Sequence, residues 1–183
     1  MELKSWLAER GAAISKRWHA EIQVREDRRG DPGDGLLGAF LNHLVEFLPP
    51  CFGEKREEAE EVWEQATHLY GSLALRRGLS AGEGVEELGL LREEIFKLVL
   101  PEISGAGGPG SSEVRDVLAL NRLLDQGVVR ASVAYLDDLF FAHLQGSGIP
   151  GGVTPEVEEE IRMQLDSFSR ELGCPESQQG ADS

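Results

Sequence analysis

Basic residues are scarce in this chain of 183 residues, which has 18 lysines and arginines against 33 aspartates and glutamates, a formal net charge of −15. The excess of acid lies in residues 31–183, whereas residues 1–30 are slightly basic. Binding to DNA or RNA depends largely on cations that neutralise phosphates. The composition therefore argues against nucleic acid and against an anionic membrane surface as direct partners.

Cysteine is also scarce, and the two cysteines, Cys51 and Cys174, are far apart in the chain, so they form neither a CxxC pair nor a disulfide framework. The first residues, MELKSWLAERG, lack the apolar core of a signal peptide. No run of apolar residues approaches the length of about 18 that a membrane span needs. We therefore expect a cytoplasmic protein that does not insert into a membrane.

Residue patterns for metal binding and catalysis are missing as well. The histidines stand alone in the sequence, without HExxH and without a cysteine at ligand spacing, so no metal site is predicted. Cys51 has no identifiable base, and adjacent carboxylates such as Asp137 and Asp138 point to different sides of a helix. We predict no catalytic residues and no required cofactor. One alternative stays open, which is haem binding by His43, because this histidine lies one turn from Phe40 and Phe47.

Apolar residues recur at intervals of about 3.6 along the chain, and no stretch alternates as a strand does. The pattern predicts an all-α fold, a bundle of about five to six helices in a globin-like or up-down arrangement, with a separate C-terminal helix. Capping signals mark two helix starts, Ser80 to Glu83 and Thr154-Pro155, and prolines mark helix ends at Pro49 and near Pro101. The predicted units are a bundle at 1–145, a Gly/Pro linker at 146–153, an amphipathic helix at 154–172 and a disordered tail at 173–183.

The longest predicted helix covers residues 111–145, and the rest of the bundle is expected to pack around it. Two polar residues, Asn121 and Asp125, fall within its apolar stripe, and Arg92 falls within the apolar face of the preceding helix. Buried charges normally find partners, so we predict that Arg92 meets Asp125 and that Asn121 completes the hydrogen bonds. This network either fixes helix register or forms a small polar pocket or switch. The stripe comprises Val114, Val117, Leu118, Leu124, Val128, Ser132, Tyr135, Leu136 and Leu139.

The predicted C-terminal helix carries a single apolar stripe. It suits contact with a partner helix, and the alternative is that it folds back over its own bundle. The candidate partner contacts are Val157, Ile161, Leu165, Phe168 and Leu172.

Residues 78–100 and 118–140 resemble the RsbRD N-terminal domain family, helical sensory domains at the front of stressosome regulators (RsbT co-antagonists) and of some bacterial sensor histidine kinases. The resemblance depends on a Gly-x-Ser helix start, a Leu-Leu-Arg in the next helix and a Leu-Asn-Arg-x-x-Asp in the long helix. The matching residues are Gly78, Ser80, Leu91, Arg92, Asn121 and Asp125. The helix before the capping box departs from the family, which often has histidine and arginine where this chain has Tyr70 and Ala74.

The resemblance implies a non-catalytic sensory or regulatory domain that acts through protein–protein contacts in signal transduction or stress response, as a homodimer. No anti-sigma-antagonist or kinase output domain follows in the sequence, so we expect a stand-alone sensor-like domain or a fragment of one. The alternative function is a small-ligand- or haem-binding sensor whose pocket contains Arg92, Asn121 and Asp125.

Overall fold

The computed structural model describes residues 2–26, 34–104, 110–146, 148 and 151–174, and within them it contains helices and no strand. This confirms the all-α prediction. The α-helices are α1 (Leu3–Glu26), α2 (Asp34–Glu46), α3 (Arg56–Arg76), α4 (Ala81–Ile103), α5 (Ser111–Leu144) and α6 (Pro155–Leu172), and a short 3-10 helix, Pro49–Phe52, lies between α2 and α3.

The capping residues start two helices where the sequence predicts. Ser80 Oγ accepts a hydrogen bond from Glu83 N, and the Glu83 carboxylate accepts one from Ser80 N at 2.7 Å, so two otherwise unpaired amides at the start of α4 are satisfied. Thr154 Oγ1 accepts from the backbone N–H of Val157 at the start of α6, where Pro155 is the first helical residue.

α4 ends near Pro101 as predicted, although the helix includes the proline and continues two residues further, to Ile103. Tertiary contacts hold this last turn: Glu102 accepts a hydrogen bond from Trp6 Nε1 at 2.7 Å, and Ile103 is buried. A proline near a helix end removes a single backbone hydrogen bond, which these contacts offset.

The helices do not pack in simple chain order. The most extensive contact is between α3 and α5; α1 packs on α2 and α4, and α4 packs on α5. In contrast, α3 and α4, which a short turn connects, touch only slightly. In an up-down bundle each helix lies along its neighbour in sequence, so the observed pairing is not that of an up-down bundle.

Small residues allow α3 and α5 to approach each other closely. A Cβ atom added at Gly71 would lie 2.0 Å from the carbonyl oxygen of Ala131, so only glycine fits there. Four residues earlier on each helix, the Gly127 backbone lies against Thr67 and the Trp63 ring, where an added Cβ would be 3.0 Å from either side chain. The Trp63 indole N–H donates to Leu123 O at 3.0 Å.

The core continues from this contact into α1 and α2. Apolar residues recur at helical spacing along both helices, and each residue named in the list that ends this paragraph is buried. Trp18 is enclosed completely and still satisfies its indole N–H, which donates to Glu87 O at 2.7 Å. The buried stripes are Leu3, Leu7, Ile14, Trp18 and Ile22 on α1, and Leu37, Phe40, Leu41 and Leu44 on α2 with Leu48 just after it.

The apolar stripe predicted for α5 is only partly correct, because the buried face of the helix is rotated relative to it. Val114, Leu118 and Leu136 from that stripe are exposed, whereas Leu124 and Tyr135 are buried. The buried face combines glycine and alanine at the close approach to α3 with leucines before it and Tyr135 after it along the helix. Its members are Leu120, Leu123, Leu124, Gly127, Ala131, Ala134, Tyr135 and Ala142.

The C-terminal helix is not a separate element. α6 packs against α2 and α3, which have few contacts with each other, and so it covers apolar surface that both would otherwise expose to water. The sequence leaves two alternatives for its stripe, and the structure shows the second, because the stripe folds back over its own bundle instead of facing a partner helix. Ile161 and Leu165 are buried in the common core, and Val157, Phe168 and Leu172 pack half-buried against it.

The connection between α5 and α6 returns to the end of α3. The Gly152 N–H donates to Arg76 O at 3.1 Å, which satisfies one of the carbonyls that a helix end leaves unpaired. Parts of the predicted linker 146–153, and the predicted disordered tail from residue 175 onward, lie outside the described residues. Within the described part of the tail, Gly173 ends α6 in a left-handed conformation, and Cys174 packs on the core.

One segment, Gly35–Phe52, is long and apolar enough to cross a membrane by length and composition alone, with a mean hydropathy of 1.2. The sequence prediction concerns an unbroken apolar run, and this segment, which includes Asn42, His43 and Glu46, does not by itself contradict it. In the structure the segment comprises α2 and the 3-10 helix, and most of its large apolar side chains lie in the bundle core.

We expect Gly71→Ala to destabilise the fold by about 3 kcal/mol or more, because the new methyl group meets the Ala131 backbone, which cannot move without shifting α5. The matched control is Gly89→Ala in α4, where nothing lies within 4 Å of an added Cβ. That control gains about 0.5–1 kcal/mol of helix propensity. Urea unfolding of both variants gives the comparison, and equal stabilities contradict the close approach.

Leu165→Ala in α6 is expected to cost about 2–4 kcal/mol, since it leaves a cavity in the shared core. Met163→Ala, on the exposed side of the same helix, changes the free energy of unfolding by about 0.5 kcal/mol or less. Thermal or urea unfolding measures both. A Leu165→Ala protein as stable as the wild type would show that α6 does not belong to the bundle.

Candidate functional site

The polar residues predicted to meet between α4 and α5 are in contact. Arg92 Nη2 donates to Asp125 Oδ1, and Asn121 Nδ2 donates to Asp125 Oδ2 at 3.0 Å. The prediction that this network is buried is wrong, because the Arg92 and Asp125 side chains are 32% and 52% exposed. The rotation of α5 moves the network to the rim of the α4/α5 contact, where an ion pair contributes about 1 kcal/mol or less.

A second polar network, which the sequence patterns do not reveal, is buried between α3 and α4. The Arg77 guanidinium donates to both oxygens of Glu87, at 2.8 and 3.1 Å, and Tyr70 OH donates to the same carboxylate. The Arg77 side chain is only 2% exposed. The sequence contains one indication of this network: Glu87 lies at helical spacing from Leu91 and Ile95, on the inner face of α4.

The surroundings of Tyr70 keep its hydroxyl protonated. Burial raises the pKa of Tyr70 well above its ordinary value, and the negative charge of Glu87 raises it further. The phenol therefore serves as a permanent hydrogen-bond donor to the carboxylate. With its bidentate arginine, Glu87 has the partners that a buried charge requires, so this network holds the fold together.

A further buried carboxylate, Glu94, lies two turns along the same face of α4. It accepts hydrogen bonds from Arg17 Nε on α1 at 2.7 Å and from Lys97 Nζ at 2.5 Å. Its side chain is buried, whereas both cations are half-exposed. Glu87 and Glu94 together tie α4 to α3 and to α1.

His43, the candidate haem ligand, contributes to the attachment of α6. Its Nδ1 lies 3.1 Å from Ser169 Oγ, and its ring lies 5.8 Å from that of Phe47. Burial lowers the pKa of His43, against the opposing effect of Glu46 and Asp166. The neutral imidazole is thus the favoured form, and one ring nitrogen is engaged by α6.

The surface of α5 exposes a row of large apolar side chains, which we name the α5 exposed face. It consists of Val129, Val133, Leu136, Phe140 and Leu144, whose exposures range from 43% to 63%. The row lies on the side of α5 away from Gly127 and Ala131, which face α3. Isolated apolar residues are common on protein surfaces, but a contiguous row usually marks an interaction site.

An open groove of about 460 Å³ lies where α3, α5 and α6 meet. Its polar lining includes an ion pair between Arg130 and Glu64, with a separation of 2.5 Å. The other lining residues are Glu61, Gln65, His68, Leu69, Gln164 and Phe168. Within the described ranges, no group of three or more His, Cys, Asp or Glu side chains is arranged to hold a metal ion.

Replacing Glu87 by Gln is expected to cost about 3–5 kcal/mol, because it removes the negative charge from the buried, bidentate pair with Arg77. Glu86→Gln is the matched control. Glu86 is the preceding residue, and its pair with Arg25 is exposed, so the change costs about 0.5 kcal/mol or less. Chemical unfolding measures both, and similar small losses for the two variants would contradict the buried network.

Comparison of the chain with protein-family models, with curated proteins and with solved structures finds no match. The resemblance to the RsbRD N-terminal domain family therefore stays a prediction, and the arguments for function depend on the geometry described above.

Proposed function

We propose that this chain is a non-catalytic bacterial sensory or regulatory domain that acts through protein–protein contacts in signal transduction or stress response. The observation that supports the proposal is the α5 exposed face. Five large apolar side chains in one row are exposed to water, and the hydration of this apolar surface is unfavourable in free energy. A protein partner that buries the row recovers this free energy.

The attachment of α5 makes its exposed face suitable for docking. The opposite side of the helix is fixed to α3 by the Gly71–Ala131 contact, and Tyr135 OH donates to Leu79 O at 2.8 Å. A face on a rigid helix loses little conformational entropy when a partner binds. The α5 exposed face is therefore an ordered surface and not a mobile loop.

The proposal places the protein in the cytoplasm and requires no cofactor. Both cysteines are free thiols, and burial raises the pKa of Cys51 to about 12, so it stays protonated. The net charge of −15 disfavours nucleic acid and anionic membranes as partners. These features are consistent with a domain whose partners are proteins.

The groove between α3, α5 and α6 favours a second candidate function, a sensor for a small ligand. Its volume of about 460 Å³ lies within the range of ligand pockets. The Arg130 guanidinium and the His68 imidazole are possible hydrogen-bond donors to such a ligand. We rank this function second because the groove is open, and its carboxylates Glu61 and Glu64 oppose the binding of anions.

A photo-reactive amino acid in place of Leu136 tests the first function. When the full chain is expressed in cells and irradiated, we expect a covalent adduct with another polypeptide, because the partner covers the α5 exposed face. The measurement is the appearance of an adduct on a denaturing gel, followed by mass spectrometry. The matched control places the same amino acid at Met163, which is equally exposed but isolated on α6. Absence of an adduct at position 136, or equal adducts at both positions, contradicts the proposal.

A further inference from the structure

We propose that the groove where α3, α5 and α6 meet binds a small organic cation, a primary amine with a short apolar body. The inference rests on the second candidate function, because it names the class of ligand for that groove. Three properties of the groove support it: its fixed walls, the charge that its lining leaves unpaired, and the apolar side chains beside that charge.

The walls of the groove are fixed by contacts with the rest of the bundle. α3 forms the floor, and the contact of Gly71 with the Ala131 backbone holds α5 close along one side. On the other side, Phe168 of α6 packs on the core, where its ring lies 6.4 Å from that of Phe47. A preformed site loses little conformational entropy when a ligand binds. The exposed residues of the floor are Glu61, Gln65 and His68.

The lining of the groove carries one negative charge that is not neutralised. With histidine counted as neutral, its charged side chains are Glu61, Glu64 and Arg130, two negative and one positive. The Arg130 guanidinium pairs with the Glu64 carboxylate at 2.5 Å. Within the part of the chain that the structure describes, Glu61 has no hydrogen bond or ion pair. A cationic ligand therefore gains a charge-assisted hydrogen bond at Glu61, whereas an anion is repelled.

The uncharged polar groups of the groove suit an ammonium group in particular. An ammonium offers three hydrogen-bond donors and no acceptor. Gln65, one turn after Glu61 on α3, and Gln164, on the α6 wall, each contribute an amide oxygen to the groove. Neither amide has a hydrogen bond among the described residues. One carboxylate and two amide oxygens thus match the three donors of a primary amine.

The apolar side chains beside these acceptors define the rest of the ligand. Leu69 and Phe168 line the same groove and are half-buried against the core. Contact with them removes apolar surface of the ligand from water, and an aromatic ring attracts a nearby cation. A second ammonium would lack a counter-charge, because Arg130 already neutralises Glu64. The groove therefore suits a monoamine with a hydrocarbon body better than a polyamine.

Three probes of nearly the same shape and different charge test the inference. They are phenethylamine, phenethyl alcohol and hydrocinnamate, which are positive, neutral and negative at neutral pH. Isothermal titration calorimetry of the full chain should give a dissociation constant on the order of 1 mM or lower for the amine. We expect the alcohol to bind about tenfold more weakly, and hydrocinnamate to bind no better than the alcohol.

Glu61→Gln tests whether this carboxylate holds the amine. The change replaces the charge by an amide of the same shape, so we expect phenethylamine to bind about tenfold more weakly and phenethyl alcohol to bind as before. The matched control is Glu159→Gln, which changes the net charge equally at an exposed position of α6 outside the groove. Binding to this control should stay within about twofold of the wild type. Circular dichroism verifies that both variants are folded.

Gln164→Glu tests the position of the ammonium by a gain of affinity. The variant adds a carboxylate to the α6 wall, and we expect it to bind phenethylamine about threefold more tightly or better. A gain of affinity cannot result from a loss of structure, so this variant separates recognition of the ligand from stability. An unchanged or lower affinity for the amine contradicts the proposed arrangement.

The outcomes separate this inference from the functions proposed above. Equal binding of the amine and the alcohol, or tighter binding of hydrocinnamate, overturns the inference and leaves the groove as the ligand site of the second candidate function. An amine that binds equally to Glu61→Gln and to the wild type lies outside the groove, which also overturns the inference. If none of the three probes binds, the inference and the second candidate function are both contradicted, whereas cross-linking at Leu136 decides the first function independently.

Discussion

The contact between the backbones of Gly71 and Ala131 determines how the rest of the bundle is arranged. It brings α3 and α5 together more closely than any residue with a Cβ at position 71 permits. At this separation α5 presents Gly127 and Ala131 to α3. The large side chains of the α5 exposed face lie on the opposite side of the helix, away from this contact.

The sequence predicts the helices and their starts well, because capping boxes and apolar periodicity are local signals. In α1 and α2 large side chains at helical spacing fill the buried faces, so apolar periodicity marks those faces directly. For α5 the same reasoning assigned Leu118 and Leu136 to the core. That reasoning placed large apolar residues in the core, whereas a close contact between two helices requires small residues.

The polar residues illustrate the same limit of local patterns. Helical spacing was sufficient to predict that Arg92 meets Asp125, but their burial depends on the rotation of α5, which no local pattern records. Glu87 was missed because its partners, Tyr70 and Arg77, come from the preceding helix. The two inward carboxylates of α4 require cations at fixed positions, so charge fixes the register of α4 while shape fixes that of α5.

The last turn of α3 has a role that its position would not suggest. Helix ends ordinarily fray, since their terminal carbonyls lack partners. Here the backbone of Gly152 binds Arg76, Arg77 binds Glu87 of α4, and Tyr135 of α5 binds the nearby Leu79. The end of α3 is thus the point to which α4, α5 and the connection to α6 are attached. A force applied to the C-terminal segment is therefore transmitted to the centre of the bundle.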